Sequence, residues 1–250
     1  MTATIPRPLF LLLASLIVVG GTVVASLAQE ATPQAGEMTI FPPKVPVSGV
    51  TLAEWSARHW QWTTSFPVGL NPGQDSTGTT CSFGQSGPVF FLPRNYPPCV
   101  VPAGVALFVP IAGSVCSTAE PPPFAGRDEG ELRACAEAEA ERYTGITVRV
   151  DGQAVPDIQA CRASSPLFAL ALPKHNVLGA PAGPAFAVAD GYQIILPPLP
   201  AGDHAISVHI ELTDGTVLPD KVARISVVAP PGGITSAPPD LGTPLATPLA

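Results

Sequence analysis

A serine flanked by glycines and a tryptophan-rich segment are the parts of this chain whose residue types and spacing point to chemistry. Gly84-Gln85-Ser86-Gly87-Pro88-Val89 invites a serine-hydrolase reading. It departs from the nucleophile-elbow pattern, which needs glycine where Pro88 stands. Ser56-Ala57-Arg58-His59 imitates the histidine segment of a trypsin-type protease. His59 and Ser86 are nevertheless too close in sequence for a two-barrel protease that carries its aspartate between them. A working nucleophile needs a base and an orienting acid within hydrogen-bond reach. The bland reading is a Gly-Ser turn entering a strand.

All three tryptophans fall between positions 55 and 62. Trp55, His59 and Trp62 follow i, i+4, i+7 spacing, one stripe of a helix, and Trp60 points elsewhere. Such a stripe packs as core, because large aromatics serve burial. The sharper reading is an aromatic platform for a glycan-like or small amphipathic ligand. Trp55, Trp60 and Trp62 would form its floor, and Arg58, Gln61 and Glu54 its polar rim. That reading predicts an exposed Trp60.

The remaining polar residues carry less. His204 and His209 alternate onto opposite faces of one strand and cannot share a metal. His175-Asn176 sits in a loop expected over residues 173–190. Asp190, Asp203 and Asp214 each precede a turn-forming position, and turn capping explains them. No CxxC pair supports zinc, and no EF-hand run supports calcium, although isolated acidic turns are present. No catalytic residue, metal or other cofactor is assigned.

Five cysteines leave one unpaired if two bridges form, and sequence alone does not choose the connectivity. The pairing adopted is Cys81–Cys99 and Cys116–Cys135, each closing a local loop worth about 3 kcal/mol in the chain-entropy model. The second bridge would tether the loop after a strand at 105–111 to a helix. Cys161 is left as a small buried hydrophobe rather than a catalytic thiol, since Arg162 alone lies near to lower its pKa.

The elements that must position these residues are short. Thr51 with Glu54 makes a capping box for a helix over 52–64, with Pro67 beyond its end. Asp128 with Glu131 caps a second helix over 129–143, with Gly145 as its break. Strands are predicted at 88–92, 105–111, 146–150, 167–172, 193–196, 204–212 and 221–228. Asp214-Gly215 turns the last hairpin. Ile206, Val208, Ile210 and Leu212 form its buried face, alternating with Ala205, Ser207, His209 and Glu211. Many short strands and two helices predict a mainly β fold, an antiparallel β-sandwich with two α-helices packed on it.

The 250 residues are 46% hydrophobic and 12% charged, with a formal net charge of −7. The length suits one large domain or two small ones. No basic stripe exists, which argues against nucleic acid and anionic membranes as partners. Residues 1–28 read as a secretory signal peptide: Arg7, an apolar run, then Ser26-Leu27-Ala28 as cleavage site. A retained anchor is the alternative, since the apolar stretch approaches spanning length. After cleavage no membrane span remains. Residues 29–47 read as a flexible or extended entry, 48–228 as the domain, and 229–250 as a disordered Pro/Thr-rich tail. Export would let the thiols oxidise.

Several blocks carry a resemblance: Glu54-Trp55, Trp60-Gln61-Trp62, Gly84-Gln85-Ser86-Gly87-Pro88-Val89 with Phe91-Leu92, Cys99 with Val101-Pro102-Ala103-Gly104, Ala106-Leu107-Phe108, Pro110-Ile111, and Ala189-Asp190-Gly191-Tyr192. Together with Cys116-Ser117, Leu132-Arg133-Ala134-Cys135 and Ser165-Pro166-Leu167-Phe168, the chain resembles a group of exported bacterial proteins with no assigned activity. The resemblance spans roughly residues 48–210 and implies secretion and a shared fold. His59 and Cys161 depart from it.

Three functional readings stand open at this level. The leading one is a noncatalytic secreted or envelope domain that binds a glycan-like or small amphipathic ligand. The second is a secreted hydrolase using Ser86 or a carboxylate pair. The third is a purely structural or interaction protein.

Overall fold

A computed structural model describes residues 38–229. The predicted leader and all of the predicted tail except Ala229 lie outside the described residues. The helices are α1 (Leu52–Thr64) and α2 (Glu129–Ala140). The strands are β1 (Val89–Phe91), β2 (Cys99–Pro102), β3 (Ala106–Ser117), β4 (Tyr143–Val150), β5 (Gln153–Ala154), β6 (Arg162–Ser164), β7 (Phe168–Leu172), β8 (Gly183–Leu196), β9 (Gly202–Leu212) and β10 (Lys221–Val228). The first sheet runs β1-β3-β8-β6, with β7 also paired to β8, and the second runs β2-β10-β9-β4-β5.

The predicted mainly β, two-sheet architecture with two helices is what the molecule adopts. Most pairings are antiparallel, but β1 with β3 and β2 with β10 are parallel. The cause is a crossover. After β1 the chain leaves the first sheet, adds β2 to the edge of the second, and returns as β3 beside β1. Parallel neighbours require a connection of this length.

Between the sheets lies a core built from Leu107, Val109, Ile194 and Leu196 on one side and Val148, Ile206, Val208 and Ile225 on the other. Each such side chain contributes about 1.5–3 kcal/mol by burial. The outer face of the first sheet is also covered. Trp55 and Trp62 of α1 pack on Val89, Phe91, Phe108 and Ile195, while Leu132 and Ala136 of α2 pack on Cys116 and Val188. Sheet strands buried on both faces read as continuous apolar runs rather than alternations. β3 and β8 are buried over most of their length, although Ser114 in β3 and Asp190 and Gln193 in β8 interrupt the apolar run.

The predicted capping box of α1 is present, with Thr51 N–H donating to Glu54 Oε2 at 2.9 Å and Glu54 N–H donating to Thr51 Oγ1 at 3.2 Å. In α2, Asp128 caps Glu131 N–H at 3.0 Å, but the Glu131 carboxylate turns outward to the Arg127 backbone N–H at 2.9 Å and its guanidinium.

Three expectations are corrected. α2 ends at Ala140, not 143, because Tyr143 starts the β-favouring run of β4. Gly145 lies inside that strand, at an irregularity of register, where a Cβ would come within 2.7 Å of Glu211 Oε2. β3 extends to Ser117 and β8 begins at Gly183, so the expected 173–190 loop is half strand. The part of the entry segment that is described is pinned: Met38 N–H bonds Ala154 O and Phe41 N–H bonds Ile195 O, each at 2.9 Å.

Candidate functional site

Trp55 and Trp62 are core residues, 3% and 8% exposed. Their indole N–H groups donate to Val47 O at 3.1 Å and Phe83 O at 2.8 Å. His59 between them is 1% exposed, stacks on Phe108 with ring centroids 4.9 Å apart, and bonds Leu92 O through Nε2 at 3.1 Å. Burial first, and then the positive charge of Arg94, push its pKa down to about 3, so the ring is neutral and Nε2 carries the donated proton. The stripe therefore anchors α1 to the first sheet.

The three-tryptophan platform is corrected accordingly. Trp60 is half-buried rather than exposed, and the Arg94 guanidinium lies over its ring at 4.6 Å from the centroid. The rim residues are dispersed. Arg58 covers Trp55 at 4.9 Å, and Gln61 Nε2 donates to Ala169 O at 2.9 Å. Trp60 instead lines a small cavity of about 230 Å³ with Thr63, Asn71, Gln74, Arg94 and Asn95.

Both adopted disulfides are present, Cys81–Cys99 and Cys116–Cys135, and Cys161 is free and buried. Cys116 sits within β3 itself, so the second bridge ties α2 to a strand rather than to a following loop. Burial pushes the Cys161 thiol up to about 11, which argues against nucleophilic use.

The first bridge roofs a larger opening. β1 is the last strand of one sheet and β2 the last of the other. Between these edges lies a cleft of about 600 Å³. Its walls include Val89 and Phe90 from β1, Val100 and Pro102 from β2, and Val105 and Val228 beyond. Residues 78–87 close it from above.

That roof is held at three points. Gly78, at φ 77°, packs so closely on Pro98 that a Cβ would lie 1.7 Å from the Pro98 carbonyl oxygen. Cys81 is crosslinked to Cys99. Gln85 acts as a strut: its Nε2 donates to Cys81 O at 3.1 Å and Phe91 O at 2.8 Å, and its Oε1 accepts from Phe91 N–H at 3.0 Å. Just upstream, Asp75 accepts four bonds from Thr77 and Thr80, at 2.6 to 3.0 Å, and these hold its pKa well below the usual carboxylate range. The Asp75-Ser76-Thr77-Gly78 run was the sequence signal of this ordered loop, an Asx turn before a glycine.

Ser86 is exposed in the roof and lines the cleft. Among the described residues no histidine, aspartate or glutamate lines it with Ser86, so the serine has no base among them there. Ser82, Ser86 and Thr79 supply neutral hydroxyls.

A second groove of about 700 Å³ shares Gly78, Thr79 and Val100 with the cleft and carries His204, Asp151, Asp203 and Arg224. His204 Nδ1 meets Asp151 Oδ2 at 2.7 Å and Nε2 meets Pro200 O at 2.9 Å. Partial burial opposes its charge, but these two acceptors raise its pKa, and both nitrogens are occupied as donors. With both ring nitrogens engaged by acceptors, neither is free to serve a substrate as a general base. His209 bonds Asp220 at 2.7 Å and Glu211 at 3.4 Å, which raise its pKa, on the opposite face from His204 as the spacing required.

Turn capping holds for Asp214, whose Oδ1 accepts from Thr216 N–H at 2.9 Å. It fails for Asp190, which is 4% exposed in mid-strand and accepts from Arg162 Nε at 2.7 Å. Asp203 likewise lies in β9 and accepts from Ser226 Oγ at 2.6 Å. Among the described residues no cluster of three or more His, Cys, Asp or Glu could hold a metal ion, and no helix is long and apolar enough to cross a membrane. The two disulfides mark an oxidising, extracytoplasmic environment.

No family model matches the chain, and neither a curated protein nor a solved structure is similar to it.

Proposed function

We propose that this is a secreted or envelope-associated, noncatalytic domain that binds a small neutral amphiphile in the cleft between β1 and β2. The carrying observation is the cleft itself: about 600 Å³, within the range of small-molecule sites, with mainly apolar walls and a few hydroxyls. An alkyl or similarly apolar body fits the valine and phenylalanine walls. A hydroxyl-bearing head, as on a glycoside, meets Ser82, Ser86 and Thr79. Among the described residues no titratable group lines the cleft, which favours a neutral head over a charged one. The triple anchoring of the roof supports a preformed site, which lowers the ordering cost of binding.

Calorimetry with octyl glucoside below its micelle concentration tests the reading. Val100 is 58% exposed at the cleft mouth, so Val100→Asp leaves the fold intact and is expected to weaken binding at least tenfold. Methyl glucoside, which lacks the apolar body, is expected not to bind. Failure of octyl glucoside to bind, or equal binding by Val100→Asp, refutes the reading.

A further inference from the structure

Arg94 is the feature of the molecule that the cleft leaves unexplained. It is half-buried, and among the described residues no carboxylate lies within 4.0 Å of it. A guanidinium offers five N–H donors. One bond is made, Nη2 to Gly113 O at 2.6 Å. The ring of Trp60 holds the planar head from one side. Buried cations are ordinarily paired, and an unpaired one beside a cavity is an offer to an anion. Its field is unneutralised: burial foremost, and Arg94 second, lower the pKa of both His59 and Lys221.

The cavity beside it is rich in donors. Thr63 is 8% exposed and backs the cavity, with its Oγ1 sealed from solvent and unpartnered among the described residues. Trp60 differs from the other two tryptophans in that its indole N–H has no protein acceptor among the described residues. Gln74 and Asn95 add side-chain amides, which both donate and accept, and among the described residues no aspartate or glutamate lines the space. Asn71, 1% exposed, fixes the wall: its Nδ2 donates to Thr63 O at 2.6 Å and its Oδ1 accepts from Gly73 N–H at 2.8 Å. With about 230 Å³, the space admits one small ring and leaves a bare inorganic oxyanion underfilled.

We infer that this cavity is a second binding site, separate from the cleft, for a sugar acid of monosaccharide size. The carboxylate pairs with the Arg94 guanidinium, a ring hydroxyl accepts from the Trp60 indole N–H, and the remaining hydroxyls meet the Gln74 and Asn95 amides.

The probes are D-glucuronate, D-glucose as its neutral counterpart, and inorganic phosphate, titrated into the oxidised full chain by ligand-observed NMR. Glucuronate is expected to bind at least tenfold more tightly than glucose or phosphate. Arg94→Gln is expected to weaken it at least tenfold. Trp60→Phe, which keeps a ring beneath the guanidinium and removes the indole N–H, is expected to weaken glucuronate binding severalfold while leaving octyl glucoside binding unchanged. Val100→Asp is expected to leave glucuronate binding unchanged, so the two sites fail independently. If glucuronate does not bind, or glucose or phosphate matches it, the assignment is overturned. Should Arg94→Gln not fold, unchanged glucuronate binding by Trp60→Phe overturns it as well.

Discussion

His59 provides the sharpest quantitative test of the packing between α1 and the first sheet. Its imidazole is 1% exposed and its pKa falls from 6.5 to about 3 on folding. The unfolded chain therefore takes up a proton near pH 6.5 that the folded chain refuses until much lower pH. Stability from this group is complete above pH 6.5 and is lost as pH falls toward about 3. The slope is about 1.4 kcal/mol per pH unit, or about 3 kcal/mol by about pH 4. His59→Phe removes the titration and keeps a ring on Phe108, but leaves Leu92 O without its donor, which costs about 1–3 kcal/mol at neutral pH. The wild type is thus expected to be the more stable at pH 7 and the less stable near pH 4. Urea unfolding followed by tryptophan fluorescence across this range measures the difference directly. Carboxylates common to both chains cancel. A wild-type advantage that stays constant with pH would refute the buried, neutral assignment of His59.

Breaking the bridge with Cys81→Ser and Cys99→Ser opens a loop of sequence separation 18 and is expected to cost about 3 kcal/mol, with loss of octyl glucoside binding because the roof is released. Cys116→Ser with Cys135→Ser, of separation 19, should cost a similar amount and leave the cleft working; denaturation and calorimetry on the same samples separate the two cases. Arg162→Met strands the Asp190 carboxylate, whose side chain is 3% exposed, and is expected to cost about 3 kcal/mol or more in urea unfolding.

What the sequence conveyed, and what it withheld, follows the range of the interactions involved. α1 was legible because its cap, stripe and stop signal are all local. The β9–β10 hairpin was legible because Asp214-Gly215 and strict alternation lie within one short stretch. The two disulfides were legible as local loops. β3 and β8 were truncated because Gly113, Asp190 and Gly191 each look like a break. In the fold, Pro110 falls at a register shift, where a missing N–H is tolerated. Gly113 and Gly191 face one another so closely that a Cβ on Gly191 would lie 2.3 Å from Ala112 O. Asp190 is neutralised by Arg162, distant in sequence.

The parallel pairing of β2 with β10 joins distant parts of the chain and leaves no local trace. Both candidate sites inherit this remoteness. The cleft exists because the chain changes sheets between Phe91 and Cys99, and the Arg94 cavity is assembled from α1 and three separate loops. Trp60 and Ser86 were visible as unusual residues, yet their neighbours, which decide what they do, were not.

Chemical-shift mapping of the isotope-labelled, oxidised chain during an octyl glucoside titration tests the cleft most directly. Saturable shifts concentrated at residues 78–90, 100–105 and 228, and absent around Trp60 and Arg94, are the predicted result. An unshifted cleft, or shifts gathered on some other face, would contradict it.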